Sequence, residues 1–143
     1  MGREIQSVEI SFFAHATEDE RRVVEKVSSF FSLPTPKIEL LEGHFGNRIA
    51  RVIYHVTGQE ATALFSLIAS KLSKDDAKKI LDDRVKNVDE HGALYMRLSK
   101  QELMSKRLVQ AEDDPVRVKV KPRGNLRGDT TFLNSLMTGR SSD

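Results

Sequence analysis

Five short runs of this chain alternate apolar and polar residues, and helical periodicity fills most of the gaps between them. The first run is Ile5–Ala14. Val8, Ile10, Phe12 and Ala14 form one face, while Ser7, Glu9, Ser11, Phe13 and His15 form the other. Alternation of this kind, rich in β-branched and aromatic residues, predicts a half-buried strand. Thr17 with Glu20 three residues later has the form of a capping box, and Glu18, Asp19 and Glu20 suit the positive end of a helix dipole. Val23, Val24, Val27, Phe30 and Phe31 then recur at helical spacing. A helix is predicted from about Thr17 to Phe31, stopped by Pro34 and Pro36.

Lys37–Glu42 and Arg48–Thr57 alternate again, and Gly43-His44-Phe45-Gly46-Asn47 between them supplies turn residues, so the pair predicts a hairpin. Ile38 and Leu40 share one face of the first arm. In the second, Ala50, Val52, Tyr54 and Val56 point to a core, and Arg51, Ile53 and His55 point away. Ala61, Leu64, Phe65, Ile68 and Leu72 mark a helix over Gly58–Leu72. Ser73 caps a second one, about Lys74–Val85, with Ala77, Ile80, Leu81 and Val85 on its apolar side. After a polar turn at Asn87–Gly92, Ala93–Leu98 forms a fourth strand with Leu94, Met96 and Leu98 on one face and Tyr95 and Arg97 on the other. Ser99 with Glu102 opens a short helix whose apolar residues are Leu103, Met104 and Leu108. In the fifth strand Val116, Val118 and Val120 alternate with Arg117, Lys119 and Lys121. The tail has room for a short helix around Thr130–Met137.

The predicted order is β-α-β-β-α-α-β-α-β. Strands that are apolar on one face, with helices between them, define an α+β fold. It is a two-layer sandwich of a mostly antiparallel five-stranded sheet with helices packed on one face. Its 143 residues predict one domain, 1–143, with 124–143 as a variable basic C-terminal segment. The chain has no cysteine, which removes disulfides, thiolate metal sites and a cysteine nucleophile and fits a reducing, cytoplasmic setting. No apolar run approaches a membrane span, so no membrane partner is expected.

Charge sharpens the picture. The net charge is +2, but six of the 23 Lys/Arg and two of the 21 Asp/Glu fall after Asp114. Positive charge is therefore concentrated on the last strand and the loop carrying Arg123 and Arg127. Three cations along one strand face repel one another, and a phosphate backbone relieves them. The alternative is a solvated edge strand whose charges discourage aggregation. The outer face of the sheet collects Phe13, His15, Arg51, Ile53, His55, Tyr95, Arg97, Arg117, Lys119 and Lys121, with Glu9 as the main carboxylate of the first strand. Sheets that bind single-stranded RNA combine cations and rings in this way. The same set also fits a dimer surface centred on Phe13, Ile53 and Tyr95, or a face covered by the C-terminal segment.

Catalytic and metal chemistry find little support. His15 and His44 sit at strand ends near Glu18 and Asp19, but no HxH or HxxxH spacing exists, so no metal and no cofactor are expected. Gly43–Asn47 lacks the Gly-Lys-Ser/Thr ending of a phosphate loop, and no G-x-S-x-G elbow is present.

Three stretches resemble successive signatures of an archaeal family labelled RNA-binding protein or exosome subunit. They are His15-Ala16-Thr17-Glu18-Asp19-Glu20, then Leu41-Glu42-Gly43-His44-Phe45-Gly46-Asn47, then His91-Gly92-Ala93-Leu94-Tyr95-Met96-Arg97-Leu98-Ser99-Lys100-Gln101. The resemblance spans about residues 5–121. It implies a fold similar to the large-subunit ribosomal protein that contacts 5S RNA, non-enzymatic RNA binding, and partners among exosome or ribosomal proteins. It carries over the signature positions His15, Thr17, Glu18, Asp19, Gly43, His44, Gly46, Asn47, Tyr95, Arg97, Lys100 and Gln101. Phe45 stands where the family has tyrosine, His91 precedes Gly92 where an acidic or amide residue is usual, and the tail departs from the family's longer helix. The expected RNA contacts are Tyr95, Arg97, Lys100, Arg117, Lys119, Lys121, Arg123 and Arg127. A protein-interaction or homodimerisation module using the open sheet face is the competing expectation.

Overall fold

The computed structural model describes residues 5–15, 20–42, 48–83, 87–90 and 92–122. Its elements are β1 (Ile5–His15), α1 (Glu20–Phe31), β2 (Lys37–Glu42), β3 (Arg48–Thr57), α2 (Gly58–Lys71), α3 (Lys74–Asp82), β4 (Leu94–Ser99), α4 (Lys100–Met104) and β5 (Pro115–Pro122). The five strands form one antiparallel sheet in the order β2-β3-β1-β5-β4. The α+β expectation and the predicted order of elements hold. The capping pair Thr17–Glu20 cannot be followed, because Thr17, Glu18 and Asp19 lie outside the described residues, as do Gly43–Asn47, His91 and the tail from Arg123 onward.

The apolar arms of the alternating runs meet on one side of the sheet. Val8, Ile10, Phe12, Val52, Leu94, Leu98, Val116, Val118 and Val120 are all fully buried. Onto this face pack Val23, Val27 and Phe31 of α1, Ala61, Phe65, Ile68 and Ala69 of α2, and Ala77 and Ile80 of α3. Each of the Val, Ile and Phe side chains contributes roughly 1.5–3 kcal/mol by leaving water. Tyr54 is buried with the rest, and its hydroxyl lies 2.7 Å from Ser28 Oγ and donates to the Val24 carbonyl at 3.3 Å. Burial raises the Tyr54 pKa, and the Ser28 hydrogen bond partly offsets the rise.

The position of β5 decides the meaning of its charges. It is hydrogen-bonded to β1 on one side and β4 on the other. The reading of the basic strand as a solvated edge is therefore overturned: its cations stand on an interior strand.

Helix ends are set by local geometry. Ser99 Oγ accepts from the Glu102 N–H at 3.0 Å, and Ser73 Oγ from the Asp76 N–H at 3.0 Å, as the capping pattern predicts. Prolines do not stop α1. Ser32 takes a left-handed φ of 54°, and the Leu33 and Ser32 N–H groups return to the carbonyls of Ser28 and Ser29. This is a Schellman closure, two residues ahead of Pro34. The same closure ends α4, with Lys106 at φ 64° and N–H bonds from Arg107 to Glu102 and from Lys106 to Leu103. Leu108 is thus not part of the helix. It lies beyond it, buried, in a bridge to Leu72.

Candidate nucleic-acid interface

The second face of the sheet carries no helix among the described residues, and registry fixes which side chains meet there. One row across the sheet reads Lys37, Ile53, Ser11, Arg117, Arg97, each opposite the next. The neighbouring row reads His55, Glu9, Lys119, Tyr95. A third places Lys121 opposite Ser7, which is opposite Thr57. All the residues that alternation assigned to this face lie on it. Arg97, Arg117, Lys121 and His55 are exposed, while Phe13, Tyr95, Ile53, Arg51 and Lys119 are half-buried.

Arg97 stands directly opposite Arg117, and no salt bridge joins either guanidinium to a carboxylate among the described residues. Like charges at facing sheet positions destabilise the sheet. The Arg117 guanidinium instead lies over the Phe13 ring, 5.7 Å from its centroid, and the Lys119 ammonium over the Tyr95 ring, also at 5.7 Å. The Tyr95 hydroxyl donates to Asp89 Oδ2 at 3.0 Å, which anchors the ring's outer end. Phe13 belongs to this site although no signature motif marks it; its place on the outer face of β1 is the one signal the sequence holds for it. Glu9 faces both His55 and Lys119 and lines a shallow depression with Gln6, Ser7, Thr57 and Lys121. Across the sheet Arg51 is neutralised by Glu39 at 3.2 Å, so the unneutralised charge is concentrated on β4 and β5.

Lys100 departs from the expected role. Its side chain is only 6% exposed. Its ammonium pairs with Asp114 Oδ2 at 2.9 Å and donates to the Phe13 carbonyl. The segment before β5 captures it and removes it from a phosphate's reach. His15 Nε2 comes to the other oxygen of the same carboxylate, Oδ1, at 3.2 Å. Two signature residues thus converge on Asp114, which sits at a left-handed φ of 46° and in the sequence is only part of a polar break. Burial alone would raise the Asp114 carboxyl, but hydrogen bonds and charge from Lys100 and His15 prevail and hold it below its ordinary value. Gln101 is exposed on α4. Thr17, Glu18, Asp19, Gly43, His44, Phe45, Gly46, Asn47, Arg123 and Arg127 lie outside the described residues. Among the described residues no three His, Cys, Asp or Glu gather as metal ligands would, and no helix is long and apolar enough to cross a membrane.

Among the described residues, one helix-covered face and one face of interleaved cations and rings define an open-faced α+β sandwich. The chain belongs to a protein family described as RNA binding, whose model matches residues 7–122. An uncharacterised protein of Methanocaldococcus jannaschii, MJ0213, is 34% identical over 122 residues, covering 76% of this chain and 79% of that one. The RNA-binding protein PAB1135 of Pyrococcus abyssi is 30% identical over 123 residues, covering 80% of each. Among solved structures, SSO0741 of Sulfolobus solfataricus superposes with a TM-score of 0.78 at 27% identity, covering 94% of this chain and 98% of that one. AF2318 of Archaeoglobus fulgidus gives 0.78 at 23%, covering 93% and 99%, a likeness of fold alone. Both are described as DUF54 proteins.

Proposed function

We propose that this protein is a non-enzymatic RNA-binding module and that the open sheet face is its binding surface. The carrying observation is the facing pair Arg97 and Arg117, unneutralised, beside Lys119, Lys121 and the rings of Phe13 and Tyr95. Phosphates relieve the repulsion between the guanidinium groups. When Arg117 and Lys119 swing to phosphates, the two rings are uncovered for bases. An exposed cation–π contact is worth about 0.5–1 kcal/mol. A stacked base is worth about 1–3 kcal/mol. The exchange is therefore downhill. Membership of an RNA-binding family and the name of the Pyrococcus relative support the same reading. Arg123 and Arg127 would extend the basic surface past β5. A place beside the RNA-degrading exosome or the ribosome, in the cytoplasm, is the finer proposal, and it rests on the three signature stretches.

The test is a fluorescence-anisotropy titration with a mixed-sequence single-stranded RNA at several salt concentrations. The Arg97→Ala/Arg117→Ala protein should bind more weakly, and its log–log salt slope should fall by about 0.7 for each phosphate that no longer meets an arginine. Unchanged affinity and slope would remove RNA from this face.

A further inference from the structure

The two edges of the sheet are treated differently. Outside β4, the Ser99 N–H donates to the Val109 carbonyl at 2.7 Å and the Ala111 N–H to the Arg97 carbonyl at 3.1 Å. Val88 bridges to Leu94 at the other end. That edge is closed by its own chain. At the opposite edge β2 has a strand neighbour, β3, on one side and none on the other among the described residues. Four large apolar side chains are exposed among those residues. Three of them, Ile38 (43%), Leu40 (56%) and Leu41 (43%), belong to this six-residue strand. A bare edge that is also apolar is a template for another strand.

We propose that β2 is a homodimer interface, in which the β2 strands of two copies pair antiparallel about a twofold axis through Glu39. Two five-stranded sheets then become one continuous sheet. The occupant follows from self-complementarity. A twofold axis perpendicular to the sheet keeps like faces together, so facing residues must share a face. With the axis at Glu39, Ile38 faces Leu40 of the second copy, and Leu40 faces Ile38. An apolar cluster of four side chains forms on the helix side. On the other side Lys37 faces Leu41 of the second copy, its aliphatic stem along the leucine, and its ammonium falls diagonally beside Glu39, within reach of a long side chain. The two facing Glu39 carboxylates are each already neutralised, by Arg51 at 3.2 Å and Lys37 at 3.5 Å. An axis at Leu40 would instead set Ile38 against Glu42 and Glu39 against Leu41, which desolvates two carboxylates against apolar groups. This interface stands apart from the proposed RNA face and does not depend on it.

Light scattering on the intact chain should show a mass rising with concentration from 16.2 kDa toward twice that value. Leu40→Lys, at a site 56% exposed and so harmless to the fold, should stay at the monomer mass throughout. The chain has no cysteine, so Glu39→Cys adds a single thiol. Facing Cβ atoms in adjacent strands approach disulfide range, so oxidation should link Glu39→Cys into a dimer and leave Leu40→Cys largely unlinked. A monomer mass for the unmodified chain at every concentration would overturn the proposal. So would a dimer that persists in Leu40→Lys, or linkage of Leu40→Cys as efficient as that of Glu39→Cys.

Discussion

Asp114 shows how one carboxylate can organise a surface it does not belong to. It binds Lys100, whose ammonium also reaches the Phe13 carbonyl, and it binds His15 at the end of β1. The node therefore ties α4 and the start of β5 to β1, close behind the Phe13 ring. Removing the charge takes from Lys100, which is 6% exposed, the carboxylate that lies 2.9 Å from its ammonium. Breaking a fully buried pair costs about 3–5 kcal/mol, and partial solvent access to Asp114 reduces the expected loss to roughly 1–3 kcal/mol. Asp114→Asn should show that loss in urea denaturation at neutral pH. Because the native carboxyl is held below its ordinary value of 3.8, its contribution is complete above that pH and fades as pH falls through the lower native value. The gap between wild type and Asp114→Asn should accordingly close as pH falls below about 4. A gap that stays open as pH falls well below about 4 would show that the charge is not the cause. None of this was legible in the sequence. A lysine in a polar stretch is ordinarily solvated, and its capture depends on a residue fourteen positions away that only the fold brings near.

At the scale of elements, α4 is too short to hold itself and depends on its two ends. Its start was legible: Ser99 and Glu102 have the spacing of a cap, and the hydroxyl does accept the Glu102 N–H. Its end was not. The sequence carries Leu103, Met104 and Leu108 at helical spacing, yet the chain turns at Lys106 with φ 64°. The docking of Leu108 beside Leu72 overrides the local pattern. The two ends should respond to mutation with opposite signs. Ser99→Ala should cost about 1 kcal/mol. Lys106→Gly should stabilise by roughly 0.5–1 kcal/mol, because glycine accepts the left-handed conformation without a Cβ clash. Thermal unfolding would register both shifts, and a loss on Lys106→Gly would contradict the closure described for α4. The end of α1 teaches the same lesson, since Ser32 stops the helix before either proline does.

For the whole molecule, the strand order turns a basic strand into a basic surface. β5 is inserted between β1 and β4, so Arg117 meets Phe13 and Arg97, and Lys119 meets Tyr95. If β2 joins two copies, the perpendicular axis leaves both cationic faces on the same side. The two β5 strands then lie seven strand spacings apart, about 34 Å at roughly 4.8 Å each. An RNA that reaches both should bind more tightly than a short one through effective concentration alone. In Leu40→Lys that advantage of the longer RNA should vanish, while the affinity for the short one is unchanged. Equal losses for both lengths would mean that the edge touches RNA directly.

Alternation and helical spacing by themselves determined the order of the described elements, the split of each strand into a core face and an outer face, and the caps at Ser73 and Ser99. These features depend on the period of the backbone and on contacts within a few residues, which a linear pattern records. The order of strands in the sheet, the burial of Lys100 against Asp114, the facing of Arg97 with Arg117 and the bare edge at β2 were decided by tertiary structure. Each depends on residues far apart in the chain, and the identity of a partner strand is written in no local period.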